Sequence, residues 1–243
     1  MECEETGTGR RGLPQAEGQE RNGSRDAVIL VHGLWMTGRE MSVLGRRLTR
    51  AGFSVSYFRY SSWRGSLAEA ASRLAKTIAG LDRPTVHLVG HSLGGIVIAR
   101  MLETDCPRQV CRIVFLGSPI QAGAFAASLA KVKSGRLILG PVACEGIVEK
   151  RPVVAPGREI LSIAGTLPVG FGSLFGVAAP HDGTIAAEET VVPGAQSLHI
   201  RASHMGLLIS PAVARNVIAF LATGDIADGS PPVTSEPYQN GRQ

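Results

Sequence analysis

The chain has 243 residues, 44 % of them hydrophobic, 19 % charged and 5 % aromatic, with 30 glycines. Such a length suits a single α/β domain with a large core, the apolar content excludes wholesale disorder, and glycine without a three-residue period excludes collagen. The formal charge is +5, yet no block of five like charges and no aromatic-interleaved basic motif occurs, so nucleic acid is not an expected partner.

Residues 1–25 carry five Glu and four Arg and lack an apolar h-region. They read as a disordered leader rather than a secretory signal, and the expected location is cytoplasmic. Cysteines stand at 3, 106, 111 and 144 without a Cys-x-x-Cys pair, which reads as free thiols. The domain is expected over 26–227. Its first strand is Ala27–Val31, a continuous apolar run suited to burial on both faces. A helix follows over Met41–Ala51, then a β-branched and aromatic strand over Phe53–Tyr60. Ser66 and Glu69 form a capping box for a helix running to Ala79. Thr85–Val89 is a third strand, Leu93–Glu103 a helix, Val110–Leu116 a fourth strand, and Gln121–Lys133 a helix. The segment 134–158, with three Pro and four Gly, shows no clear period. Ile160–Ala164 and Ala195–Arg201 complete the strands, and Pro211–Ala222 is the last helix. Residues 228–243 read as a second disordered tail. Strands alternating with helices imply a mainly parallel sheet of about six strands flanked by helices, with ligands at the carboxyl ends of the strands.

From Ile160 to Pro180 no residue is charged, a length that could cross a bilayer. Pro168 and four glycines interrupt it, so it reads as a buried strand followed by an apolar loop, and no integral membrane segment is expected.

The chemistry gathers after the strands. Gly90-His91-Ser92-Leu93-Gly94 is G-x-S-x-G between a strand and a helix, the context in which such a serine stands on a sharp turn above the sheet. A serine hydroxyl needs a base. His87 and His199 lie within strands, and His91 is expected to point away from the base position. His204, in a loop after the last strand, fits the order nucleophile, acid, histidine. Asp182, followed by Gly183, is the expected orienting acid, with Glu189 the alternative. The backbone N–H groups of Leu93, at a helix N-terminus, and of Leu34, after a turn expected at Gly33, are the expected oxyanion donors. No H-E-x-x-H occurs; neither metal nor cofactor is expected.

Together VHGLW (31–35), GHSLGG (90–95), LGSP (116–119), HDGTI (181–185) and SHMGLL (203–208) resemble the serine hydrolases of the α/β-hydrolase superfamily, in the lipase and esterase group. The match runs over about 26–221, and its later part is similar to compact bacterial lipases and lipases related to GPI-inositol deacylases. The resemblance implies an α/β-hydrolase fold in minimal form, without the two opening strands of larger members. It implies Ser92, Asp182 and His204 as a triad, Leu34 and Leu93 as the oxyanion hole, and a small-molecule or lipid ester as substrate. Roughly 16 residues precede Asp182 after the fifth strand, a longer loop than usual in the superfamily; its Phe171 and Phe175, with Trp35, are the expected acyl-pocket residues, the competing reading being a loop packed into the core. Residues 121–156 occupy the place where the superfamily often inserts a lid. An acyltransferase or thioesterase would use the same triad, and a binding protein without catalysis is the reading from another class.

Overall fold

The computed structural model describes residues 26–121, 123–131, 133–149, 152–154, 157–170 and 177–227. Six strands, β1 (Ala27–Val31), β2 (Ser54–Phe58), β3 (Val86–His91), β4 (Val110–Leu116), β5 (Ile160–Gly165) and β6 (Gln196–Ile200), form one sheet in the order β2-β1-β3-β4-β5-β6. Every pairing is parallel. A parallel sheet must be covered on both faces, and the strands alternate accordingly. Ile29, Val31, Leu88, Ile113 and Phe115 pack on one side with α2 (Leu67–Ala79) and α3 (Leu93–Thr104). Val28, Leu30, Val89, Val114, Leu161 and Ile163 pack on the other with α1 (Ser42–Arg50) and α6 (Pro211–Thr223).

The expected capping box of α2 is present: Ser66 Oγ accepts from Glu69 N–H, and the Glu69 carboxylate accepts from Ser66 N–H. Other boundaries shift. β2 is shorter than its apolar run, because Phe53 and Tyr60 pack into the core beyond the paired residues. β3 continues through Gly90 and His91 to the serine. A 3-10 turn over Arg39–Met41 precedes α1.

The helix expected over 121–133 is shorter, α4 (Ala124–Ala130). The segment without a clear period contains α5 (Lys133–Ala143), broken at Gly140, and a π-helical turn over Cys144–Glu149. Among the described residues no helix is long and apolar enough to cross a membrane. Cys106, Cys111 and Cys144 are free.

Candidate active site

Ser92 has φ 53° and ψ −122°, between the end of β3 and the first residue of α3. Positive φ is uncommon for a residue with a side chain and costs about 1–3 kcal/mol, so surrounding structure must impose it. Ser92 N–H donates to Leu116 O at 2.9 Å, and Gly95 N–H donates to Ser92 O at 3.0 Å. A Cβ on Gly94 would stand 2.1 Å from Val31 O and 2.6 Å from His32 O. Only glycine lets the start of α3 lie that close to the end of β1. Leu93 N–H, first in its helix, has no intrahelical acceptor.

The turn after β1 differs from expectation in one respect. Its positive φ falls at Trp35 (58°), not at Gly33. Gly33 lies in tight space instead: a Cβ there would stand 3.1 Å from Ser92 Cβ and 3.2 Å from His91 Nδ1. Among the described residues Leu34 N–H has no hydrogen-bond acceptor, whereas Trp35 N–H donates to the Oγ of buried Ser62 at 3.1 Å.

Asp182 and His204 meet. His204 Nδ1 lies 2.7 Å from Asp182 Oδ2, and His204 N–H donates to Asp182 O at 2.8 Å. The other carboxylate oxygen, Oδ1, accepts from Thr184 N–H (2.9 Å) and Ile185 N–H (2.8 Å). The carboxylate is 1 % exposed and the imidazole 13 %. Since Nδ1 faces a carboxylate, it carries the proton, which leaves Nε2 of a neutral ring with its lone pair free.

Glu189 is buried in a different role. Its Oε2 accepts from Ala186 N–H at 2.9 Å and its Oε1 from Ala124 N–H at 2.5 Å, so it joins the acid loop to the start of α4.

Two features escaped the sequence reading. His91 does not point away from the histidine: its ring lies against that of His204, centroids 4.7 Å apart, and its Nε2–H donates to His204 O at 3.1 Å. Burial, with the nearby His204, pushes its pKa down to about 3, so it stays neutral. The second is Gly117, at φ 55° in the LGSP run. A Cβ there would stand 3.0 Å from Asp182 Oδ2 and 3.2 Å from His204 Nδ1. The LGSP motif was a signal for it, but spacing alone does not say what the glycine faces. Trp35 is 60 % exposed. Phe171 and Phe175 lie outside the described residues. No group of three or more His, Cys, Asp or Glu that could hold a metal ion occurs among the described residues.

A doubly covered parallel sheet with a strained serine between strand and helix, and an Asp–His pair at the same edge, defines a class of protein. A family model described as the alpha/beta hydrolase family matches residues 28–234, and the chain belongs to that family. No curated protein matches it by sequence. It is similar in fold to a metagenomic carboxyl esterase (17 % identity, TM-score 0.56), covering 74 % of this chain and 64 % of that one. It is also similar to a carboxylesterase from Bacillus subtilis (19 %, TM-score 0.52, 81 % and 84 % covered). A third similar structure is a bottromycin epimerase (17 %, TM-score 0.55, 83 % and 92 % covered). This chain thus spans somewhat under two thirds of the first of these.

Proposed function

We propose that the protein is a serine-dependent carboxylic ester hydrolase that works through an acyl-enzyme on Ser92. The observation that carries this reading is the 2.7 Å contact of His204 Nδ1 with Asp182 Oδ2 at the edge where the strained Ser92 stands. His204 Nε2 takes the Ser92 hydroxyl proton as Oγ attacks the ester carbonyl. The N–H groups of Leu34 and Leu93 receive the oxyanion, where each good donor is worth roughly 10²–10³ in rate. The imidazolium, stabilised by Asp182, then protonates the leaving alcohol. Water enters, His204 deprotonates it, and the same steps release the acid and restore Ser92. The substrate is a small-molecule or lipid ester, with Trp35 along its acyl group. Acyl transfer to another alcohol, or thioester hydrolysis, would use the same residues.

A fluorophosphonate probe, which traps activated serines, tests the reading. Wild-type protein is expected to label at one site and lose its activity on p-nitrophenyl esters; Ser92→Ala is expected neither to label nor to hydrolyse these esters. Equal labelling of the two proteins, or none of wild type, overturns the assignment.

A further inference from the structure

The chain has two tryptophans, and both donate their indole N–H to consecutive carbonyls of one helix. Trp63 Nε1–H reaches Leu137 O at 2.8 Å, and Trp35 Nε1–H reaches Ile138 O at 3.0 Å. These carbonyls are available for a covalent reason. The residue four places after Leu137 is Pro141, which has no N–H. The partner four places after Ile138 is Val142, beyond Gly140, whose φ of 73° and ψ of 168° take the backbone out of the helix. A Cβ on Gly140 would stand 2.3 Å from Trp63 Cδ1, so Trp63 covers the break. The sequence breaks α5 and supplies the two donors that satisfy it from loops after β1 and β2.

The two tethers differ in what they hold. Among the described residues Trp63 hydrogen-bonds only to α5, through its indole. Trp35 follows Leu34 directly, sits at positive φ, and gives its own N–H to Ser62 Oγ. Its ring and its amide are therefore fixed to two separate elements. We propose that Trp35 is a positioning residue: through its indole on Ile138 O and its amide on Ser62 Oγ, it holds the turn after β1 so that Leu34 N–H faces the oxyanion. This rests on the reading of Leu34 as an oxyanion donor.

Trp35→Phe keeps an aromatic ring and removes the indole N–H. It is expected to lower kcat on p-nitrophenyl acetate about tenfold or more with KM within about twofold, and to weaken a trifluoromethyl ketone inhibitor by the same factor. Ser62→Ala, which removes the other tether, is expected to act in the same direction should Trp35→Phe fold poorly. Trp63→Phe is expected to leave kcat within about twofold. The proposal is overturned if Trp35→Phe leaves kcat unchanged, if it raises KM alone, as loss of a substrate wall would, or if Trp63→Phe matches it. A readout independent of hydrolysis is the heteronuclear NOE of the Leu34 amide in Ser92→Ala protein. It is expected to fall when Trp35→Phe is added, and an unchanged value overturns the positioning role even in a protein that hydrolyses nothing. Failure of the hydrolase reading itself shows separately, as wild-type protein that does not take the fluorophosphonate.

Discussion

The Asp182 carboxylate commits both oxygens, one to two backbone N–H groups and one to His204. An amide of the same shape cannot do this: an asparagine side chain would turn its NH2 either toward the loop's donors or toward the imidazole N–H. Asp182→Asn is therefore expected to lower kcat by several orders of magnitude, on the scale of the ~10⁴ known for a triad acid. Glu189→Gln sets the same mismatch against Ala124 and Ala186 N–H, away from the histidine. It is expected to lower the thermal midpoint with kcat within about tenfold, so steady-state kinetics and a melting curve on both variants separate the roles. If Glu189→Gln alone removes kcat, the acid is misassigned. Both carboxylates lie between β5 and the histidine in the chain, which is why the sequence leaves two candidates. What separates them is which N–H groups fold back onto each, a matter of loop path. The same holds for His91, whose contact with His204 spans 113 residues of chain.

Elements dictated by local chemistry were legible. The apolar run of β1, the serine and glutamate three apart before α2, and proline in the first turn of α6 each act within a few residues. Ser66→Ala removes one arm of the capping box and is expected to cost about 1 kcal/mol, read as a lower urea midpoint. No loss of midpoint would mean the helix start is held by Glu145, whose carboxylate accepts from Leu67 N–H at 2.8 Å. α5 was not legible, and the reason is physical. Gly140 and Pro141 argue against a helix, and what completes the backbone there comes from indoles 74 and 103 residues away. Tertiary partners override local propensity at that point.

On the scale of the whole molecule, burial keeps several histidines neutral. It lowers the pKa of His32, His87 and His199 below the ordinary value, and that of His91 to about 3. The unfolded chain binds protons at these groups below pH ~6.5 more strongly than the folded protein does, so stability rises with pH and is lost as pH falls below that value. For His91 the loss continues down to about pH 3. Unfolding by urea at pH 7 and pH 4.5 is expected to show a loss of roughly 2–3 kcal/mol from His91 alone, and His91→Asn is expected to flatten the dependence. Equal slopes for the two proteins would refute it. The strand order has a metric consequence as well. β3 and β5 flank β4, so the serine turn and the acid loop leave the sheet two strand spacings apart, about 10 Å. The imidazole is the spacer that fits this interval, and the bare backbone of Gly117, the residue directly after β4, fills the floor beneath it. β4 is thus the gauge of the site: a side chain at 117, just past its end, or a slip in its register, would change the gap between Ser92 and Asp182 while leaving Ser92, Asp182 and His204 intact in the sequence.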